Sequence, residues 1–257
     1  MRSYDRSKPL IFIHVPKSAG TSVRQVFGRW FGTGLLDHYF DEQRNLWPPV
    51  LDLERLHTPS APVTVYGHFN RLRGFGVEHD YPQVRQFVTL LRDPYEAAVS
   101  AYFYLRQNGH EWHDQSRIPR QSLHRFLLET PPNILNHFPR PVTCDNYREQ
   151  IEYFFVDVGV MAHLSESMRR IALRLGMPFE ESMLPHVNAT PRTQAPELDL
   201  RDVYRDMHPL EHEVYDHVAA RFQPAVVDAD ALPYGLIVPP FAPGFGHGSG
   251  TRPAIDR

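Results

Sequence analysis

The chain has 257 residues, 42% hydrophobic and 22% charged, the balance of a globular protein with room for one large α/β domain or two small ones. Lys plus Arg number 27 against 30 Asp plus Glu, a net charge of −3. That argues against a general binder of nucleic acid or anionic membrane, while allowing a local basic pocket. The single cysteine, Cys144, excludes an internal disulfide and a thiolate metal cage.

Met1 to Pro9 is polar and charged, and the apolar run behind it, Leu10 to Val15, is short. It is too short for a signal-peptide core with a cleavage site, and no later segment approaches the roughly 18 apolar residues of a membrane helix. The expectation is a cytoplasmic protein without a membrane span. Pro9 to Pro16, rich in β-branched and aromatic residues with a proline at each end, reads as a buried strand. After the loop Lys17 to Gly20 comes Thr21 to Phe31, where Val23, Val26, Phe27, Trp30 and Phe31 have the spacing of one helix face. Thr21 or Ser22 is its natural N-cap.

A second strand is expected at Ala61 to His68. A third, Gln86 to Leu91, is stopped by Arg92-Asp93-Pro94 and followed by a helix from Tyr95 to about Gln107. Gln107 to Arg120, dense in His, Asp and Gln, reads as a long surface loop. A fourth strand is expected at Tyr153 to Val160, then a helix from Ser165 to Gly176 with a serine cap and a glycine stop. Pro209 to Phe222 is helical, with Leu210, Val214, Val218 and Phe222 in one stripe. Strands alternating with helices imply an α/β fold with a central, mostly parallel sheet flanked by helices, a P-loop-like three-layer sandwich. The expected organisation is an extension over 1–8, one domain over 9–235 and a flexible Pro/Gly-rich tail over 236–257.

Ligands of an open parallel sheet sit at the carboxyl ends of its strands. The three best strand ends carry Lys17, His68 and Arg92: two cations and a titratable base at one edge. In Pro16-Lys-Ser-Ala-Gly-Thr-Ser22 the backbone runs straight into a helix, so its N–H groups and the helix dipole favour an anion. Gly20 permits close approach, Thr21 and Ser22 add hydroxyls, and Lys17 adds a full charge. The lysine precedes the glycine by three residues, unlike a Walker A loop, so by itself the loop reads either as a phosphate cradle of a different kind or as an ordinary strand-to-helix turn with a surface lysine. In Arg92-Asp-Pro-Tyr-Glu-Ala-Ala-Val-Ser100, Ser100 lies about two turns into the helix; by itself Arg92 is equally suited to pair with Asp93 or another carboxylate.

Phe12-Ile-His-Val-Pro-Lys-Ser-Ala-Gly-Thr-Ser22, followed by Leu91-Arg-Asp-Pro-Tyr-Glu-Ala-Ala-Val-Ser-Ala-Tyr102, resembles the cytosolic and Golgi sulfotransferases. The resemblance is closest to the carbohydrate group that includes the heparan sulfate 2-O-sulfotransferases, and it covers most of residues 9–222. It implies that Lys17, Ser18, Ala19, Gly20, Thr21 and Ser22 hold the 5′-phosphosulfate of 3′-phosphoadenosine-5′-phosphosulfate (PAPS), and that Arg92 and Ser100 hold its 3′-phosphate. The product nucleotide would be 3′-phosphoadenosine 5′-phosphate (PAP). Tyr66-Gly-His68 is similar to the strand end bearing the family's general base. Leu184-Pro-His-Val-Asn-Ala-Thr190 and Pro209-Leu-Glu-His-Glu-Val-Tyr215 are similar to later family segments. Ser18 stands where members often carry threonine, and Ala97 where many carry arginine.

The implied reaction is sulfuryl transfer to a hydroxyl, on a sugar or glycoconjugate, with Lys17 stabilising the leaving phosphate and His68 as base, and no metal. His14, inside the first strand, and His38 are the other histidines weighed for the base. Gly32 to Pro49 and Gln107 to Pro141 are expected to build the acceptor pocket, with Arg106, Arg117, Arg120 and Arg125 as an acidic-glycan surface or a solvated face. His110-Glu-Trp-His-Asp114 and His208-Pro-Leu-Glu-His212 superficially resemble metal-ligand clusters, but the first lacks the H-E-x-x-H spacing and Pro209 interrupts the second. The aromatics of 102–104 and 153–155 read as core. A Mg-dependent kinase or NTPase, or a non-catalytic nucleotide- or glycan-binding module, are the competing classes; a strand ending in a Walker B aspartate is not evident.

Overall fold

The computed structural model describes residues 1–185 and 200–222. Five parallel strands form one sheet in the order β2-β3-β1-β4-β5: β1 (Leu10–Ile13), β2 (Leu35–His38), β3 (Thr64–Gly67), β4 (Phe87–Leu91) and β5 (Phe155–Val160). Nine α-helices among the described residues surround it: α1 (Gly20–Phe31), α2 (Leu53–Leu56), α3 (Val77–Asp80), α4 (Pro94–Asn108), α5 (Leu123–Glu129), α6 (Tyr147–Phe154), α7 (Leu164–Leu175), α8 (Arg201–Met207) and α9 (Pro209–Ala219). The fold is the expected α/β class.

β1 lies at the centre, in register with β3 (Phe12 opposite Tyr66) and β4 (Phe12 opposite Val88). All four of its residues are buried, because a strand covered on both faces by helices has no solvent side. Its alternation divides the core. Leu10 and Phe12 join Val23, Val26 and Phe27 of α1 and Ile171 of α7, while Ile11 and Ile13 join Ile151 of α6 and Val214 and Val218 of α9. Phe12 stacks on Tyr66 with centroids 4.4 Å apart and meets the edge of Phe27 at 4.9 Å. The Thr89 hydroxyl donates to the Ile13 carbonyl at 2.7 Å, tying β4 to β1 just below the carboxyl edge.

Several local expectations need correction. β2 falls within Gly32 to Pro49, the stretch expected to build the acceptor pocket, where no strand was expected. It has four residues, largely unburied, at the sheet edge, so it carries neither the alternation nor the apolar run by which strands are recognised. Tyr153 and Phe154 belong to α6, and β5 begins at Phe155; the continuous apolar run spans a helix end and a strand start, which periodicity alone does not separate. α7 starts at Leu164 after His163, with no side-chain cap from Ser165, although Gly176 does stop it in the left-handed conformation (φ 66°). The stretch 107–120 is a helix end followed by two 3-10 turns, Gly109–Glu111 and Gln115–Arg117, and part of it packs over the site described below.

Residues 1–8 lie along the sheet: Arg2 N–H donates to the Phe155 carbonyl at 3.1 Å, and Asp5 N–H donates to the Gln86 side chain at 2.6 Å. No helix among the described residues is long and apolar enough to cross a membrane. The tail expected over 236–257, and residues 186–190 of the motif beginning at Leu184, lie outside the described residues.

Candidate active site

The carboxyl ends of β1, β3 and β4, the three central strands, deliver Lys17, His68 and Arg92 to one edge, the position at which the chain order of a doubly wound sheet reverses. The β1–α1 loop is strained: Lys17 (φ 66°) and Ala19 (φ 61°) are both left-handed, without being glycine. Such residues cost of order 1–3 kcal/mol each and cluster at functional sites. Left-handed residues next to right-handed ones are the backbone pattern from which anion nests are built. α1 begins at Gly20 with Ala19 as its N-cap and no side-chain cap, so neither Thr21 nor Ser22 takes that role. The first turn holds no acidic residue, which leaves the positive end of the helix dipole uncompensated. Ser18 is 2% exposed and its Oγ has no hydrogen-bond partner among the described residues.

The loop is held from below. The Tyr66 hydroxyl donates to the Gly20 carbonyl at 2.7 Å, and Arg92 Nη1 donates to the Lys17 carbonyl at 3.1 Å. Glycine at 20 is a steric requirement: a Cβ there would stand 1.8 Å from Nε2 of His14. Gly20→Ala should therefore destabilise the protein by about 1–3 kcal/mol, the range for overpacking. Thermal denaturation of the single variant and of His14→Ala/Gly20→Ala checks this, since truncating His14 should recover part of the loss. Additive losses would show that the collision is not the cause.

Lys17 is half-buried, with Nζ 3.9 Å above the centroid of Tyr104 from α4. Burial, then the neighbouring charge of Arg92, lowers its pKa to about 8, so it remains mostly protonated at neutral pH. Arg92 also pairs with Glu96 at 3.6 Å, and Glu96 in turn meets Arg201. Asp93, the other carboxylate weighed as a partner, instead accepts from the Glu96 N–H at 2.9 Å and caps α4. Ser100 is buried on α4.

Of the three histidines weighed, only His68 lines the cavity that Lys17 also lines. His68 Nδ1 lies 2.7 Å from the His14 carbonyl oxygen. A carbonyl only accepts, so Nδ1 carries the proton and Nε2 of the neutral ring is left as a bare acceptor. Burial pushes the pKa of His68 down to about 4, partly offset by that hydrogen bond. The His14 ring stacks on it with centroids 4.3 Å apart, and its own Nδ1 meets the Tyr39 hydroxyl at 3.0 Å. His14 thus shapes the loop and orients its neighbour. His38 is engaged at both nitrogens, by Asp80 at 3.1 Å and the Tyr81 hydroxyl at 3.2 Å.

The cavity, about 640 Å³, is shared by Lys17 and His68. The two stretches expected to build an acceptor pocket both contribute, the first through Tyr39, Phe40 and Glu42 and the second through Trp112, Arg117 and Phe126. Arg73 lies outside both stretches and was missed, and Tyr104 was read as core; Tyr39, Glu42 and His137 fall inside the expected stretches without being singled out. Glu42 is clamped by Arg73 at 2.7 Å and Arg117 at 2.6 Å, and these guanidinium groups, outweighing its burial, hold its carboxyl below the usual range. Arg117 is the one of the four basic residues singled out that lines the cavity. Arg125 pairs with Glu129 and Arg106 lies over Tyr102. Tyr104 lines the cavity and Tyr153 is 58% exposed, so neither belongs to the core. Among the described residues no cluster of three or more His, Cys, Asp or Glu is arranged to hold a metal.

Fold and site together define an α/β protein in which a strained strand-to-helix loop with Lys17, and His68, open on one cavity. No family model matches the sequence, and no curated protein matches it. Among solved structures, the chain is similar to mouse sulfotransferase SULT7A1 complexed with PAP at 14% identity, covering 70% of this chain and 62% of that one, with a TM-score of 0.44. It is similar to a sulfotransferase from Alicyclobacillus acidocaldarius at 13% identity, covering 84% of this chain and 99% of that one, with a TM-score of 0.46. The chain thus spans less than two thirds of the length of the mouse protein.

Proposed function

We propose that the protein is a PAPS-dependent sulfotransferase whose acceptor hydroxyl binds in the cavity between Lys17 and His68. The observation that carries this reading is their pairing: a cation at an anion cradle and a neutral imidazole with a bare Nε2 line one cavity. The cradle suits a 5′-phosphosulfate. It combines left-handed turns at Lys17 and Ala19, a buried unpartnered Ser18 hydroxyl and a helix N-terminus without acidic residues. Thr21 and Ser22 lie in the first turn of that helix. Arg92 and Ser100 are assigned to the 3′-phosphate by the resemblance of their motif, and the Arg92 bond to the Lys17 carbonyl links the two halves of the nucleotide site.

PAPS, when bound, supplies a sulfuryl group attached to a phosphate leaving group. Lys17 meets the negative charge that grows on the leaving oxygen as its bond to sulfur breaks, an interaction stronger in the transition state than in the ground state. His68 Nε2 takes the proton of the acceptor hydroxyl while that oxygen forms its new bond to sulfur. Its low pKa keeps the ring neutral at physiological pH, and the negative charge of a bound nucleotide raises it toward the working range. The aromatic walls at Tyr39, Phe40 and Trp112 suit the faces of a sugar ring or another flat acceptor. A cavity of this size takes one small molecule or one end of a glycan.

The deciding experiment is thermal denaturation with PAP, ADP or ATP, each with Mg²⁺ and with EDTA. PAP at 100 times its Kd should add about 2.7 kcal/mol, which at this chain length is roughly 5–10 °C in Tm. The shift should be indifferent to EDTA and should shrink in Arg92→Ala. Stabilisation only by ATP with Mg²⁺ would favour the kinase class, and an unchanged PAP response in Arg92→Ala would remove that residue from the 3′-phosphate site.

A further inference from the structure

The charged side chains that line the cavity are Lys17, Arg73 and Arg117 against Glu42. Lys17 belongs to the cradle, so two guanidinium groups share one carboxylate in the rest of the wall. Arg73 meets Glu42 end-on, with Nη1 2.7 Å from Oε1 and Nη2 3.4 Å from Oε2. Its Cζ lies 4.4 Å from the ring centroid of Phe40. Arg117 meets Glu42 through Nη1 alone, at 2.6 Å, and its Cζ lies 4.7 Å from the ring centroid of Trp112. Nε and Nη2 of Arg117 donate to no group among the described residues, yet neither is a buried orphan, and the side chain is 33% exposed. Both are therefore open to solvent. Together they form the side edge of the guanidinium, the fork that takes a planar carboxylate with two parallel hydrogen bonds. Asp114, close by in the chain, is exposed and accepts from the Ser116 N–H at 3.0 Å; it does not fill that edge.

We infer that the open edge of Arg117 binds a carboxylate on the acceptor, so that the cavity selects hydroxy acids over neutral alcohols and phenols. The bond to Glu42 and the stacking on Trp112 fix the guanidinium plane before a ligand arrives, so little freedom is lost in ordering it. A hydroxy acid is repelled by the anionic groups of a bound nucleotide, and the excess positive charge of Arg73 and Arg117 over Glu42 offsets that repulsion. A neutral acceptor needs no such wall. Glu42 sets the strength of the attraction, because its charge cancels that of one of the two guanidiniums. The inference rests on the sulfotransferase reading for what happens to the hydroxyl, but not for the binding of the carboxylate.

The test titrates the protein with benzoate and with benzamide, its neutral counterpart, and follows the Arg117 Nε–H resonance, assigned by its loss in Arg117→Gln. Benzoate should move that resonance and bind about tenfold or more tightly than benzamide, the worth of a hydrogen-bonded charge. Arg117→Gln should abolish the preference. Arg117→Lys, which keeps the charge without the fork, should restore only part of it, and Glu42→Gln should widen it. Arg117→Gln leaves Glu42 paired with Arg73 and should keep the stabilisation by PAP. In turnover with PAPS, hydroxybenzoates should show a KM about tenfold below the matching hydroxybenzamides, and Arg117→Gln should erase that difference with kcat nearly unchanged. Equal binding of benzoate and benzamide, binding of neither, or a preference that survives in Arg117→Gln would overturn the inference. Should Arg117→Gln unfold, Glu42→Gln decides: a preference that does not widen there overturns it as well. Absence of PAP stabilisation in wild type would instead remove the transferase reading, leaving the benzoate titration to judge Arg117 on its own.

Discussion

Lys17→Ala should lower kcat for sulfuryl transfer by about 10²–10³-fold, the usual loss when one preorganised donor to a developing anion is removed. The side chain is the cation that the cradle presents to the cavity, and it is held over the Tyr104 ring. PAP binding should weaken as well, because the same charge meets the phosphate in the ground state. The pH profile separates the charge from the bulk of the side chain. With a pKa of about 8, Lys17 is charged below that value and neutral above it, so kcat/KM of the free enzyme should fall as pH rises through about 8. In Lys17→Arg, whose guanidinium does not titrate in this range, that alkaline limb should vanish even though the ceiling is lower. An alkaline limb that survives in Lys17→Arg would assign it to another group.

His68→Ala should cost about 10²–10⁴-fold in turnover, the contribution of a positioned general base, while leaving stabilisation by PAP near the wild-type value. That contrast with Lys17→Ala is the signature of a residue that serves the acceptor rather than the nucleotide. Since His68 is neutral above a pKa of about 4, the wild-type acid limb should lie near that value in the free enzyme and disappear in the variant. Added imidazole should restore part of the rate, because the substitution opens space next to the His14 carbonyl. Near-native turnover in His68→Ala would remove the base role. It would turn attention to His14, whose Nε2 is packed against Gly20, and His38 would remain excluded by its two filled nitrogens.

These experiments rest on residues that differ in how far local sequence betrays them. Lys17, His68 and Arg92 were legible because each follows a short apolar run, and a parallel sheet sends all its strand ends to one side. Gly20 was legible as a position of close approach, yet the atom approaching it, the His14 imidazole, was not. The N-cap was misassigned because threonine and serine are good caps in general. Here the helix takes Ala19 in a left-handed turn instead, with no side-chain cap.

The central position of β1 was decided by the sheet, whereas the order strand, loop, helix, the burial of β1 and the placing of two cations and a histidine at strand ends follow from short-range pattern alone. They depend on periodicity and on chirality rules that act within about thirty residues. Which histidine carries a bare nitrogen into the cavity depended on the His14 carbonyl, 54 positions away from His68 in sequence. The cavity walls join residues as distant as Tyr39 and His137. Such pairings leave no periodic trace in the chain, because they are made by packing between elements after the sheet has formed. Burial then sets their protonation states, as at His68, Lys17 and His137, and desolvation is a property of the assembled fold that no segment possesses by itself.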